Sequence, residues 1–306
     1  MKPFFVFSGQ GAQTVGMGKD LVENSAAARE IFDAADEALG YSISDIVFNG
    51  PEEKITQTIY CQPAIYTMSC AALAAFAEKF QGISPVACAG LSLGEYGALY
   101  AAGVFDFVSG LKLLAKRAEL MDDACCKTNG TMASVINGDP EIIREVCAKC
   151  NVDVANFNSP GQIVISGEKD ALAAAVDGLK AAGIRKVIVL NVAGAFHSRL
   201  MKSAGDALVP VLENTSFKLT DIPVYHNYTA LPAADEAELR SNLAAQVAGS
   251  VRWEECVRTM AALGADTMIE FGPGNVLTKL CSRTIPELKT ININSFDSIC
   301  NFNAGE

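Results

Sequence analysis

The chain has 306 residues, half of them hydrophobic, and a formal net charge of −11 at pH 7. This length can bury a large core and exceeds the usual size of one domain, so we expect two domains or one domain with an insertion. The acidic balance argues against broad electrostatic binding to nucleic acid or anionic membranes, and any acidic partner would need a local basic patch.

The first strand is predicted at residues 4–7 and runs directly into a glycine-rich turn. This N-terminal stretch has one lysine and is too short for the core of a signal peptide. We also expect no apolar run long enough to span a bilayer. The ten cysteines should then be reduced thiols, and we expect a cytoplasmic protein.

The turn after this strand, residues 9–14, resembles a dinucleotide-binding fingerprint only in part. It lacks the third glycine in register, so we do not expect it to bind a dinucleotide. Further along, strand-like and helix-like segments alternate, which favours a mainly parallel sheet with helices on its faces. The segments predicted next are a helical region up to residue 39, a helix at 62–80, a strand at 85–89, and helices at 95–102 and about 106–122.

Between residues 128 and 195 the pattern changes to strand, helix, strand, strand, helix, strand. This order is typical of a ferredoxin-like α+β unit, and its length fits an insertion into the larger domain. After it we predict further strands and helices, and a loose tail at residues 301–306. The predicted strands are at 223–225, 267–270 and 290–294, and the helices at 235–247, 252–263 and 276–282.

A C-x-x-C motif, Cys147–Cys150, lies on the first predicted helix of this insertion. It has no second cysteine pair and no nearby histidine. Zinc and thioredoxin-type sites need further ligands or another context, so we expect no metal site.

The pentapeptide Gly90-Leu91-Ser92-Leu93-Gly94 is a G-x-S-x-G motif between a predicted strand and a predicted helix. A serine on such a bend is exposed beside a helix N-terminus and suits an acyl-carrying nucleophile. Ser92 and Glu95 also fit the capping box S-x-x-E, in which the serine only caps the helix. Both interpretations of Ser92 remain open from this motif alone.

A serine nucleophile needs a general base, and the chain has two histidines, His197 and His226. His197 follows the closing strand of the insertion, where the chain re-enters the larger domain. His226 lies at a strand end, and we expect it to be a hydrogen-bonded structural residue. We therefore expect His197 to be the base.

Several motifs occur in the same order as in one known family. They are Gly9-Gln10-Gly11-Ala12-Gln13, Leu91-Ser92-Leu93-Gly94-Glu95-Tyr96, Arg117, Asn156-Phe157-Asn158-Ser159-Pro160-Gly161-Gln162, Gly194-Ala195-Phe196-His197-Ser198, Gln246 and Gly272-Pro273-Gly274-Asn275. Over nearly its whole length the chain resembles the malonyl-CoA:acyl carrier protein transacylases of type II fatty acid synthesis. It is also similar to the acyltransferase domains of polyketide synthases.

The resemblance implies an α/β fold in which a hydrolase-like, mainly parallel sheet domain carries a ferredoxin-like subdomain. The larger domain would comprise residues 1–127 and 196–306, and the subdomain residues 128–195. The resemblance implies no metal or redox cofactor. The substrates that it implies are malonyl-CoA and holo acyl carrier protein.

The resemblance also implies a role for each site residue. Ser92 would be the acylated nucleophile and His197 its base. The backbone N–H groups of Gln10 and Leu93 would form the oxyanion hole. A backbone carbonyl near Gln246 would orient the histidine, so no acidic third member is required.

Arg117 falls on the flank of the buried face of its predicted helix. From position alone it is either a surface arginine with a buried stem or a clamp for a carboxylate. The resemblance implies the clamp for malonate, and it implies that Phe196 favours malonyl over methylmalonyl. The chain departs from the family pattern at Leu91, where histidine is frequent, and at Ser8, where proline is more frequent.

The implied reaction is a ping-pong transfer of malonyl from malonyl-CoA to the carrier thiol. A serine esterase or thioesterase, and a non-catalytic carrier-docking subunit, are the alternatives. Basic residues flanking the expected site either form a docking patch for an acidic carrier protein or are scattered surface charges. They are Lys180, Arg185, Lys186, Arg199, Lys202, Lys279 and Arg283.

Overall fold

The computed structural model describes residues 1–303 and contains two β-sheets. The larger sheet has five parallel strands in the order β7-β2-β1-β8-β9. Its strands are β1 (Pro3–Phe7), β2 (Ala87–Gly90), β7 (Val224–Tyr225), β8 (Thr267–Phe271) and β9 (Lys289–Ile293). The predicted parallel sheet is confirmed.

The central strand β1 is buried on both faces, as a parallel sheet covered by helices requires. Because side chains alternate along a strand, Phe5 and Phe7 pack into one core, and Phe4 and Val6 pack into the core on the other face.

Fourteen α-helices lie within residues 1–303. Those before the small sheet are α1 (Lys19–Asn24), α2 (Ala26–Leu39), α3 (Ile43–Asn49), α4 (Glu52–Ile55), α5 (Thr58–Lys79), α6 (Gly94–Ala101) and α7 (Phe107–Lys127). Those within it are α8 (Pro140–Cys150) and α9 (Lys169–Ala181). Those after it are α10 (Lys202–Glu213), α11 (Glu236–Ala248), α12 (Trp253–Ala262), α13 (Val276–Thr284) and α14 (Phe296–Cys300).

The smaller sheet is antiparallel, with the order β4-β5-β3-β6. Its strands are β3 (Gly130–Ile136), β4 (Asp153–Ser159), β5 (Gln162–Glu168) and β6 (Lys186–Val189). Helices α8 and α9 contribute Ile143, Leu172 and Val176 to a separate core on one face. This is the ferredoxin-like order that the sequence predicts. The exact domain boundaries at residues 128 and 195 stay a prediction.

A short seam joins the small sheet to the segment after α11. Asn156 forms a parallel bridge with Val251. The Phe157 N–H donates to the Val251 carbonyl at 2.9 Å, and the Val251 N–H donates to the Ala155 carbonyl at 2.8 Å. Strand β4 of the small sheet is therefore tied by backbone hydrogen bonds to the segment between α11 and α12.

Helix α5 differs from the expectation that the chain has no apolar run long enough to span a bilayer. Over Thr58–Lys79 it is long and apolar enough to cross a membrane, by length and composition only. However, 78% of its apolar window is buried inside the protein. Its apolar character is thus that of a helix in the core, in contact with α2 and α7.

The predicted loose tail is wrong for its first residues. Phe302 is buried, and its ring lies edge-on at 4.8 Å from the rings of Phe76 and Phe80. No local pattern predicts this, because the partners lie on α5 and directly after it, more than 200 residues earlier. Residues 304–306 lie outside the described residues.

Candidate active site

Ser92 lies on a tight bend between β2 and α6, with a positive φ of 55°. A Cβ on Gly90 would overlap the Gly94 backbone, and a Cβ on Gly94 would overlap the Phe7 carbonyl. Both ends of the motif therefore need glycine. The Ser92 N–H donates to Asn227 Oδ1 at 2.6 Å, which further fixes the bend.

Ser92 does not cap the helix. The structure has no side-chain cap on α6, and Glu95 is fully buried instead of reaching back to the helix start. The Ser92 hydroxyl contacts His197 and Arg117. The capping-box interpretation of these residues is wrong, because a serine at this φ directs its side chain into the cavity.

His197 forms a chain of two hydrogen bonds. Its Nε2 lies 2.7 Å from Ser92 Oγ, and its Nδ1 lies 2.9 Å from the Gln246 carbonyl oxygen. A carbonyl oxygen only accepts, so Nδ1 carries the proton and Nε2 is left to accept the proton of Ser92. This is the arrangement that a general base needs.

Burial, and next the positive charge of Arg117, lower the pKa of His197 to about 4. The imidazole is 4% exposed. It is therefore neutral at physiological pH and able to take a proton.

Arg117, on α7, is 1% exposed and reaches the same serine. Its Nη2 donates to Ser92 Oγ at 3.1 Å and to Gln246 Oε1 at 2.8 Å, and its Nη1 donates to Gln62 Oε1 at 2.6 Å. It is not a surface arginine with a buried stem. Within residues 1–303 its Nε has no partner, and no carboxylate lies within ion-pair distance of it.

Gln10 and Leu93 flank Ser92 as the sequence motifs suggest. Gln10 lines the cavity that contains the serine, and Leu93 follows the serine at the start of α6. In this turn the N–H groups of Ser92, Gly94 and Glu95 are bonded to acceptors in the protein. Among the described residues the Leu93 N–H is the one in this turn with no acceptor, and its role in an oxyanion hole with Gln10 stays a prediction.

The cavity has a volume of about 480 Å³ and is lined by strands β3, β4 and β5 of the small sheet and by loops and helices outside it. Phe196 lies in its wall beside His197, and Leu91 occupies the position where the family pattern often has histidine. The wall combines apolar and amide side chains. Among the others are Met121, Met132, Val164, Leu190, Val192, Gln13, Gln57, Asn156, Asn158 and Asn191.

Sequence reasoning missed two residues that support this site. Gln62 holds Arg117, and Asn227 bridges the bend by accepting from Ser92 N–H and donating to the Gly90 carbonyl at 2.7 Å. Gln62 is a buried polar residue within the apolar helix α5, which was an available signal. His226, expected to be structural, is buried and its Nδ1 lies 2.6 Å from Glu95 Oε1.

The C-x-x-C motif forms no site with other ligands. Cys147 is buried in the small core, and Cys147 and Cys150 are both free thiols. Among the residues that the structure describes, no group of three or more His, Cys, Asp or Glu side chains is arranged to hold a metal ion.

Comparison with known proteins agrees with this geometry. The acyl transferase domain family matches residues 4–299. The chain is 40% identical over 300 residues to the malonyl CoA-acyl carrier protein transacylase of Bacillus subtilis, covering 96% of this chain and 94% of that protein.

Solved structures are similarly close. An acyl carrier protein S-malonyltransferase from Vibrio cholerae is 38% identical, with a TM-score of 0.93 over 98% of this chain and 100% of that chain. A malonyl-transacylase solved in complex with its type II polyketide synthase acyl-carrier protein is 37% identical, with a TM-score of 0.95 over 98% of both chains. The chain therefore belongs to the acyl transferase domain family, among the malonyl-CoA:acyl carrier protein transacylases.

Proposed function

We propose that this protein transfers malonyl from malonyl-CoA to the phosphopantetheine thiol of an acyl carrier protein through an acyl-enzyme on Ser92. The observation that carries the proposal is that Ser92 Oγ contacts both His197 Nε2 and Arg117 Nη2. The nucleophilic oxygen of Ser92 is thus in contact with a neutral base and with a cation that is suited to bind a carboxylate. The names of its relatives support malonyl-CoA as donor and the carrier protein as acceptor.

In the first half-reaction, Ser92 Oγ attacks the thioester carbonyl carbon while its proton passes to His197 Nε2. Negative charge develops on the carbonyl oxygen, and the N–H groups of Gln10 and Leu93 are proposed to bind it. A donor of this kind is typically worth about 3 kcal/mol of transition-state stabilisation. The C–S bond then breaks, and the CoA sulfur leaves with the proton from His197.

The second half-reaction reverses these steps with a different thiol. His197 takes the proton of the phosphopantetheine thiol, the sulfur attacks the Ser92 ester, and the serine oxygen recovers the proton. The Gln246 carbonyl stabilises the imidazolium formed in each half, because it accepts from Nδ1–H throughout. Both half-reactions are complete with the two substrates and these protein groups. We propose that no metal or redox cofactor is needed.

Arg117 and Phe196 are proposed to select the acyl group. The guanidinium is buried and has no carboxylate partner in the described protein, so binding the malonyl carboxylate would supply one. Phe196 occupies cavity space beside His197, near where the α-carbon of the acyl group would lie. A methyl branch there would compete with the ring for space.

The arrangement of the base separates this proposal from an ordinary serine hydrolase. In α/β-hydrolases an Asp or Glu precedes the histidine in the chain and orients it. Here a backbone carbonyl takes that place. A non-catalytic docking subunit would not need a serine and histidine held at 2.7 Å.

We place the protein in the cytoplasm. Its ten cysteines are all free thiols, as fits a reducing compartment.

The experiment is mass spectrometry of the intact protein after brief exposure to malonyl-CoA, acetyl-CoA or methylmalonyl-CoA, followed by holo carrier protein. We expect a malonyl adduct on Ser92 that is discharged by the carrier protein faster than by water. Ser92→Ala should form no adduct. A stoichiometric adduct on Ser92→Ala, or discharge by water alone, would overturn the proposal in favour of another nucleophile or a thioesterase.

A further inference from the structure

Among the buried ionisable side chains to which the steps above give no role are two that contact each other, Glu95 on α6 and His226 after β7. Glu95 is 0% exposed and His226 is 1% exposed. Three donors converge on the two oxygens of Glu95. His226 Nδ1 lies 2.6 Å from Oε1, and the Asn227 N–H and Gln246 Nε2 each donate to Oε2 at 2.8 Å. This donor set suits a carboxylate, which only accepts.

Gln246 connects Glu95 to the arginine. Its Nε2 donates to Glu95 Oε2 at 2.8 Å, and its Oε1 accepts from Arg117 Nη2 at 2.8 Å. Arginine can only donate, so the amide has one allowed orientation between these two groups. Without an acceptor at Glu95, only the longer bond from Nε2 to the Ser92 carbonyl, at 3.0 Å, would oppose a rotation that places the NH₂ group against the guanidinium.

The same Gln246 also holds the base, because its backbone oxygen accepts from His197 Nδ1 at 2.9 Å. Its side-chain Nε2 donates to the Ser92 carbonyl at 3.0 Å as well. One residue thus contacts the nucleophile, the base and the proposed malonate clamp. Anything that fixes its side chain affects the geometry of all three.

We propose that Glu95 is a positioning residue that fixes the Gln246 amide and through it the direction of Arg117, with His226 holding Glu95 from the opposite side. This inference rests on the proposed function. Glu95 also places a negative charge one amide away from the buried Arg117 without touching it. A carboxylate in direct contact would occupy the donors that the malonyl carboxylate needs, so the intervening amide keeps Arg117 available for substrate.

The test is Glu95→Gln, which keeps the size of the side chain and removes its acceptor-only character. The readout is the ratio of the rates at which malonyl-CoA and acetyl-CoA acylate Ser92. At metal sites, groups that orient a ligand are typically worth about 10- to 100-fold. We expect the malonyl preference to fall about tenfold, mainly through a higher KM for malonyl-CoA.

Glu270→Gln is the matched control. Glu270 is also 0% exposed and also accepts several hydrogen bonds, from the Leu277 N–H, from the Thr278 N–H and hydroxyl and, at 3.5 Å, from the Ser8 hydroxyl. It has no bond to Gln246, so its substitution should change the melting temperature without changing the malonyl preference. An equal loss of preference in both variants would show that burial of any carboxylate matters, and would overturn the positioning role.

A double substitution tests whether Glu95 acts through Gln246. In a Gln246→Ala background, Glu95→Gln should cause no further loss of preference, because the connecting amide is already gone. Additive losses would overturn the inference.

If Glu95→Gln does not fold, His226→Ala removes the second support of Glu95 and should lower the preference in the same direction. His226→Asn should restore it, because the asparagine Nδ2 can donate from near the position of Nδ1. Failure of wild-type protein to form a malonyl adduct would contradict the proposed function. A normal wild-type adduct with an unchanged ratio in Glu95→Gln would contradict only this inference.

Discussion

Replacing Arg117 with alanine should abolish most malonyl transfer and raise the relative rate with acetyl-CoA. The substitution removes the buried cation that is proposed to pair with the malonyl carboxylate, and an acetyl group has no charge to lose. The measurement is the kcat/KM for each thioester. Lys116→Ala is the control. Lys116 directly precedes Arg117 on the same helix, but its side chain is exposed and its Nζ lies 2.8 Å from Glu119 Oε1. An equal fall for malonyl and acetyl in Arg117→Ala would make this arginine structural.

The reactivity of Ser92 should depend on pH through His197. Because the pKa of His197 is lowered to about 4, the basic form persists as the pH falls well below the ordinary histidine pKa of about 6.5. Labelling by a fluorophosphonate, which has no titrating carboxylate, should therefore stay constant down to about pH 5 and decline as the pH falls through about 4.

The same measurement on Arg117→Ala should move this decline to higher pH. The Arg117 charge is one of the two causes that lower the pKa of His197, so its removal raises that pKa. A wild-type midpoint near the ordinary value, or a shift to lower pH in the variant, would contradict this account.

At the scale of single residues, the sequence predicted those whose motifs are local. The bend motif and the scarcity of histidines pointed to Ser92 and His197, the family resemblance implied their roles as nucleophile and base, and these roles stay a prediction. Gln62 and Asn227 were missed because their roles arise only where α5 and the end of β7 meet the bend in space. The Glu95 capping interpretation failed for the same reason, since its partners lie more than 130 residues away.

At the scale of elements, the start of α6 packs directly against the end of β1. Gly94→Ala should destabilise the protein by more than about 2 kcal/mol, because the new Cβ would overlap the Phe7 carbonyl and backbone cannot easily yield. Urea denaturation measures the loss, and fluorophosphonate labelling reports whether the bend survives. Gly82→Ala is the control, because a Cβ there meets no atom within 4 Å. Equal stability of the two variants would show that α6 can move away from the sheet.

Most strands of the two sheets and most of the long helices were predictable, because the hydrophobic periodicity of such elements is local. The ordered Phe302 shows the limit of this reasoning. Phe302 is fixed by the rings of Phe76 on α5 and Phe80 just after it, and no pattern within the last residues of the chain indicates such distant partners.

At the scale of the whole molecule, a charge of −11 opposes the docking of an acidic carrier protein. Three of the seven candidate basic residues are already paired with carboxylates. These are Lys180 with Asp177, Arg199 with Asp153, and Lys202 with Asp206. The other four, Arg185, Lys186, Lys279 and Arg283, are exposed and have no carboxylate within ion-pair distance in the described part of the chain. We therefore expect these four to contribute most to docking, and Lys186 and Arg283 are chosen for the test.

Lys186→Glu and Arg283→Glu should each raise the KM for carrier protein about two- to fivefold, as fits exposed charges worth under about 1 kcal/mol. Malonylation of Ser92 by malonyl-CoA should be unchanged, and the wild-type KM should rise with salt. Lys116→Glu is the control, since Lys116 borders a separate groove with Tyr41 and Tyr60. A KM insensitive to both reversals and to ionic strength would point to docking by apolar contacts.

The seam between Asn156 and Val251 has a mechanical consequence for the two sheets. A rotation about a fixed axis displaces distant atoms more than near ones, and the seam is where backbone hydrogen bonds hold β4 to the segment after α11. His197 borders the same surface recess as Phe157 and Ser250, so it lies close to this seam. Any rotation of the small sheet about the seam would therefore change the distance between Ser92 and His197 less than the width of the more distant parts of the cavity.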